Sequence, residues 1–364
     1  LAEGILIRES KPAFYLYDHE FSHEGERRRS RGFFAALRLP DGDMAEIIPH
    51  ERIFDQQIDG HIALLQQVRA NLNALFTLVD DNGEMNAILS RIATEREPDE
   101  SGTDVAGDRH RLWVIDQPAT IEALIRTIDD HPLFIADGHH RFAAARAYRD
   151  RLLSKGVEPG PARNILTYIA GAADTGAMVL PIHRLIRSFG ALTWPEVRER
   201  LARVFEVEER RLDGADAVSR LREVVDGLAA EGNPAYVLLE PGGERLLHLR
   251  LREWGQIRHR FPGGPGSQPP DVTLLDALIL QDAFGFDRDE IEARVVFTPD
   301  LVASAEAVQD GQAAAAVFVS PIPLPELLTI TRAGGRLPSK STYFYPKIPT
   351  GLVFHDLASR ESED

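Results

Sequence analysis

The segment Asp137-Gly138-His139-His140-Arg141 follows the apolar run Leu133 to Ala136 and leads into Phe142-Ala143-Ala144-Ala145. An apolar strand therefore ends in a polar turn that opens a helix, expected from about Arg141 onward because the alanines favour it. Gly138 permits a sharp turn with positive φ. Backbone N–H groups at a helix start lack intrahelical partners and attract phosphate. Arg141 supplies a bidentate guanidinium, and His139 and His140 supply switchable donors. The plain alternative is a tight turn in which Asp137 caps a helix and both histidines are solvated. A metal site on Asp137, His139 and His140 ranks third, because adjacent histidines point apart and no same-face i, i+4 pair is present.

Three further places carry reactive side chains. In Ile47-Ile48-Pro49-His50-Glu51-Arg52 a carboxylate and an imidazole stand at the end of an apolar strand. Glu51 reads as a helix-cap residue, an ion-pair partner of Arg52 or a general base. Lys340, Ser341, Thr342 and Lys347 sit in a hydroxyl- and tyrosine-rich stretch that suits an anion cradle closing over the Asp137 pocket, or else an edge hairpin guarded by lysines. Its Lys-Ser-Thr lacks the glycine spacing of a Walker A loop. His183-Arg184 reads as a phosphate contact or as a surface strand end.

These residues need strands and helices to hold them. Strands are expected at Phe14 to Tyr17, Gly32 to Leu37, Leu75 to Val79, Leu112 to Ile115 and Ile165 to Ala170, with a helix at Ile58 to Ala70. The basic run Glu26 to Arg31 reads as a solvated hairpin connection, and residues 94–109 as an exposed loop. From Trp194 helices and strands restart, the Pro- and Gly-rich stretch Phe261 to Pro270 breaks the pattern, and a last module ends in a terminal hairpin. The expected fold class is α/β (α+β), with domains at 1–190, 191–260 and 271–364, the first carrying an insertion over about 84–130.

The whole chain has 364 residues, 43% of them hydrophobic, a formal net charge of −16 and no cysteine. That net charge opposes broad attraction to nucleic acid or anionic membrane. Absent cysteine excludes disulfides and thiol nucleophiles. With no run of eighteen apolar residues and no leader pattern, a cytoplasmic location is expected. The opening Leu1 to Leu6 reads as a helix end entering a strand, so an upstream segment is expected.

Taken together, Pro49-His50-Glu51, the stretch Ile58 to Val79, Asp137 to Arg141, Pro181 to Arg184 and Pro338 to Lys347 resemble the domain of unknown function 1015 family, nearly end to end. The first half is similar to the ParB/sulfiredoxin superfamily, whose Gly-x-x-Arg signature holds nucleotide phosphates; Gly138 to Arg141 matches it. Free-serine kinases of that superfamily carry Asp-Gly-His-His-Arg and an upstream glutamate proposed to accept the substrate's proton. The resemblance implies Glu51 as base, Asp137 or Glu51 sharing Mg²⁺, His140 donating to a phosphate oxygen, and ATP or ADP as the nucleotide. It implies a phosphotransferase acting on a small hydroxyl compound; the alternative is a ParB-like nucleotide switch without kinase activity. Sulfiredoxin-like repair is excluded, because that chemistry needs a cysteine.

Overall fold

The computed structural model describes residues 6–42, 46–51, 55–129, 131–174, 176–212, 214, 216–261 and 269–358. The opening residues 1–5, Arg52 and most of the Pro- and Gly-rich break, at 262–268, lie outside the described residues. The chain divides into two units: Leu1–Met178 with Leu328–Arg336 and Phe344–Asp364, and Val179–Leu327 with Leu337–Tyr343. The fold class is mixed α/β.

The first unit begins with a long antiparallel pair, β1 (Phe14–His23) and β2 (Glu26–Arg38), followed by β3 (Ile47–Pro49) and α1 (Asp55–Val68). Next come β4 (Ala70–Asn71), β5 (Leu75–Val79), α2 (Glu84–Glu95), β6 (Glu100–Thr103), β7 (Arg109–Ile115) and α3 (Pro118–Asp129). β8 (Leu133–Asp137), α4 (His139–Ser154) and β9 (Asn164–Gly171) complete it, and the short β10 (Met178–Leu180) follows in the chain. The eight-stranded sheet runs β3-β8-β5-β9-β2-β1-β7-β6. Leu75 to Val79 is buried throughout, as expected of a strand covered on both faces. One core gathers Leu16, Phe33, Trp113, Met85, Leu89 and Leu124; a second gathers Ile47, Leu75, Ile135 and Phe142.

Several expectations change here. Glu26 to Arg31 belongs to β2, and the turn is Glu24-Gly25 instead: Asp18 lies opposite Arg31 and Glu20 opposite Arg29, so cross-strand charge pairing carries the ladder outward. The insertion expected over 84–130 supplies α2, β6, β7 and α3, and β7 pairs with β1, so it extends the main sheet. The loop expected at 94–109 contains β6, an exposed strand paired with β7. α4 starts at His139, two residues before the alanine-based estimate, because Gly138 turns the chain at φ 98°. The terminal hairpin is absent among the described residues: His355–Asp356 pairs with Ala70–Asn71.

The second unit is built on an antiparallel sheet of β11 (His183–Ile186), β12 (Phe205–Arg211), β13 (Ala235–Leu239), β14 (Arg245–Leu251), β15 (Val295–Thr298) and β16 (Ala315–Phe318). Its order is β12-β14-β13-β16-β11-β15. Because β16 bonds to both β13 and β11, segments from 191–260 and 271–319 share one sheet, where two separate modules had been expected. Its core packs Val237, Leu239, Leu246 and Phe318 against Leu221, Val225, Ala305 and Val308 from helices. Among the described residues no helix is long and apolar enough to cross a membrane.

Candidate anion-binding site

β3 and β8 are parallel, with Pro49 opposite Ile135. Both strands therefore run out at the same edge, Glu51 two residues past Pro49 and Asp137 two past Ile135. Ends of parallel strands are the usual seat of ligands in α/β sheets. The intervening 84–130 segment is no obstacle, since it joins the other end of the sheet.

From β8 the chain turns into α4 through Gly138 at φ 98°. Glycine suits this position by its backbone, and any larger residue would also shift the flexible Arg141 side chain. Its φ is left-handed, and a Cβ would stand 2.7 Å from the Arg141 Nη2 atom. The Arg141 guanidinium therefore lies back over the turn, where Nη2 donates to Asp137 Oδ2 at 2.7 Å. Its Nε has no hydrogen-bond partner among the described residues although it is shielded from solvent. Gly138 at the N-cap has no side chain to cap α4, whose first internal bond is Phe142 N–H to Gly138 O at 3.0 Å. The N–H groups of His139, His140 and Arg141 therefore lie in the first turn, where helix geometry leaves donors outward. A guanidinium beside a positive helix end makes an anion cradle.

Asp137 is held from two sides, since Lys347 Nζ donates to its Oδ1 at 2.8 Å. Lys347 is positioned by the returning segment: Phe344 packs edge-on against Phe76 and His50, with centroids 5.9 and 6.1 Å away. Burial alone would raise the Asp137 pKa, but Lys347 and Arg141 take it below the ordinary carboxylate value. Asp137 is therefore ionised, and binds both cations rather than capping α4.

His139 and His50 form the floor. Their rings meet edge to face at 4.6 Å, and His50 N–H donates to His139 Nε2 at 3.4 Å. His50 Nδ1 carries a proton, because it donates to the carbonyl of Ile135 at 2.7 Å. Burial, then His50, His140, Arg336 and Arg141, hold the His139 pKa well below its usual value. Burial also lowers that of His50. The expectation of a switchable donor at His139 thus meets a buried neutral ring, while His140 is partly exposed on the first turn of α4. Glu51 Oε1 lies 3.8 Å from His50 Nε2, and with that imidazole neutral the contact is no ion pair.

The remaining expected residues belong to the second unit. His183 is buried in β11, its Nδ1 accepting from Val319 N–H at 3.5 Å, and burial pushes its pKa down to about 3. The alternative of a surface strand end is overturned, because β11 is flanked by β15 and β16. Lys340 has a left-handed backbone, φ 61°, and Ser341 is buried with its hydroxyl donating to Pro338 O at 2.7 Å. Thr342 follows, half-buried.

The residue order assigns no role to His50 or Arg336, and it sets Lys347 over the Asp137 pocket without naming Asp137 as its partner. For His50 the available signal was its place between Pro49 and Glu51. For Lys347 the signal was its place in a hydroxyl- and lysine-rich stretch, and the carboxylate it reaches lies 210 residues away. Among the described residues no group of three or more histidine, cysteine or acidic side chains is placed to hold a metal ion.

A family model described as a protein of unknown function, DUF1015, matches residues 1–262. No curated protein matches the chain. Among solved structures, a free serine kinase in complex with AMP is 14% identical, with a TM-score of 0.42 over 85% of this chain and 86% of that one. SbnI with a C-terminal truncation, from Staphylococcus aureus, is 8% identical, with a TM-score of 0.43 over 87% of this chain and 85% of its own. A conserved hypothetical protein from Pyrococcus furiosus is 14% identical, with a TM-score of 0.41 over 87% and 92%.

Proposed function

The chain belongs to the DUF1015 family of proteins of unknown function, and from that premise we propose that it is a nucleotide-dependent phosphotransferase acting on a small hydroxyl compound. Free serine is the acceptor suggested by the resemblance of Asp137 to Arg141 to free-serine kinases. The observation that carries the reading is the left-handed turn at Gly138 into α4, with the Arg141 guanidinium folded over it. Phosphoryl transfer asks a protein for positioning, charge neutralisation and a base near the attacking hydroxyl. In this reading the terminal phosphoryl group of ATP or ADP sits against Arg141 and the N–H groups of the first turn, with His140 donating to one of its oxygens. The acceptor hydroxyl oxygen forms a bond to phosphorus, the bond from phosphorus to the leaving nucleotide oxygen breaks, and Glu51 takes the hydroxyl proton.

The neutral rings of His50 and His139 keep the floor uncharged, so positive charge is concentrated on Arg141 and Lys347. A magnesium ion carried in by the nucleotide needs only one or two protein carboxylates, and Asp137 and Glu51 are the pair available to it; bound there it would neutralise phosphate charge. A permanent protein-held metal fits less well, because both Asp137 oxygens already accept from cations.

Incubation with ATP or ADP and free serine, with product followed by phosphorus NMR, tests the proposal. A phosphorylated hydroxyl product that disappears in Glu51→Gln, while nucleotide binding persists, is expected. Nucleotide binding without any phosphorylated acceptor would favour a switch. Unchanged turnover in Glu51→Gln would remove it as the base.

A further inference from the structure

On one face of β2, β1 and β7 the charges form rungs. Asp18 lies between Arg31 and Arg111, and Glu20 between Arg29 and Arg109, each opposite the other in register. The contacts bear this out: Arg31 reaches Asp18 at 2.6 Å, Arg111 reaches it at 2.9 Å, and Arg29 and Arg111 both bond to Glu20. Asp18 is fully buried beneath them. The third rung breaks the pattern, because the residue opposite Arg27 is Ser22. Gly107, which lines the same gap, has no side chain to fill the place. Among the described residues the Arg27 guanidinium has no hydrogen bond or ion pair.

The gap is a cleft of about 290 Å³ in the first unit, lined by Arg27, Arg28, Arg29 and Arg109 against only Glu20 and Asp108. Asp108 already accepts from His19 at 3.2 Å, and Arg28 is paired with Glu26. With Arg28 set against Glu26, the lining still holds Arg27, Arg29 and Arg109 against Glu20 and Asp108, a positive place in a protein whose net charge is −16. Such a volume suits a small ligand, and arginine forks suit oxyanions.

We propose that this cleft is a second binding site, for a small, multiply charged oxyanion whose phosphate or carboxylate group takes the place of the missing third carboxylate beside Arg27. The two inner rungs hold Arg29 and Arg109 in place, so the ligand meets a preformed row. The site does not use Arg141, and the proposal stands apart from the phosphoryl-transfer reading.

Calorimetric titration of the full chain at low salt with pyrophosphate, and separately with succinate, decides it. Arg141→Ala should keep the binding, which excludes the α4 cradle as its source. Arg27→Ala should weaken it about 10-fold, the effect of losing one charge-assisted contact. Ser22→Glu, an exposed substitution that supplies the absent carboxylate, should abolish binding and slightly raise the urea midpoint without ligand. Whichever anion binds names the source of the charge. Absence of binding by both, loss of binding in Arg141→Ala, or unchanged affinity in Ser22→Glu would overturn the proposal.

Discussion

The dipeptide His-Arg occurs after an apolar stretch in each unit, with opposite results. His140-Arg141 opens α4 behind a left-handed glycine, and Arg141 keeps a quarter of its side chain exposed. His183-Arg184 lies within β11, where Arg184 is fully buried, bonded to Asp276 at 3.0 Å and stacked over Phe297 at 5.2 Å. One guanidinium faces a helix start that offers donors, whereas the other is buried and held by a partly buried carboxylate. Backbone context, through one glycine, separates an arginine folded over a helix start from one locked inside a sheet.

The comparison can be broken first at Arg184. Arg184→Ala leaves the partly buried Asp276 without its partner and should destabilise the protein by about 2 to 3 kcal/mol, read from urea unfolding. A loss under about 1 kcal/mol would mean the pair is not what holds β11 to its helix. Acid sharpens the contrast next. Burial lowers the pKa of His50, His139 and His183 from the usual 6.5, so below that pH the unfolded chain binds protons the native one refuses. Stability should therefore fall as pH drops below 6.5, by at most about 1.4 kcal/mol per pH unit for each ring kept neutral. A folded His139→Gln variant should show a shallower slope between pH 7 and 5; an identical slope would deny that His139 stays neutral.

Gly138→Ala tests the turn itself. Left-handed backbone at a residue with a Cβ costs about 1 to 2 kcal/mol, and the new methyl must also push the Arg141 guanidinium aside. Both the unfolding midpoint and nucleotide affinity should drop together, whereas a wild-type affinity would separate the glycine from the cradle. The smallest stability effect is expected at Glu51→Gln, within about 0.5 kcal/mol, because the substitution keeps the side chain's size and the neighbouring His50 is neutral. A large destabilisation there would assign Glu51 to folding instead.

Much of this contrast was legible in residue order. The strand Leu75 to Val79 and the turn at Gly138 follow from apolar runs and from a glycine at a strand end. The Glu26 to Arg31 strand was hidden, because its arginines look solvated until Asp18 and Glu20 are placed opposite them. His183 was equally hidden: nothing local distinguishes a histidine at a strand end from one flanked by two further strands. Long-range pairing, such as Lys347 with Asp137, leaves no periodic trace.

The most direct measurement is calorimetric titration of ATP and ADP into the wild type, Arg141→Ala and the conservative Arg184→Met, each first shown to be folded. The account predicts binding by the wild type, a loss of about 2 to 5 kcal/mol in Arg141→Ala and near-wild-type affinity in Arg184→Met. Unchanged affinity in a folded Arg141→Ala would contradict the assignment of phosphate to the turn from Asp137 to Arg141.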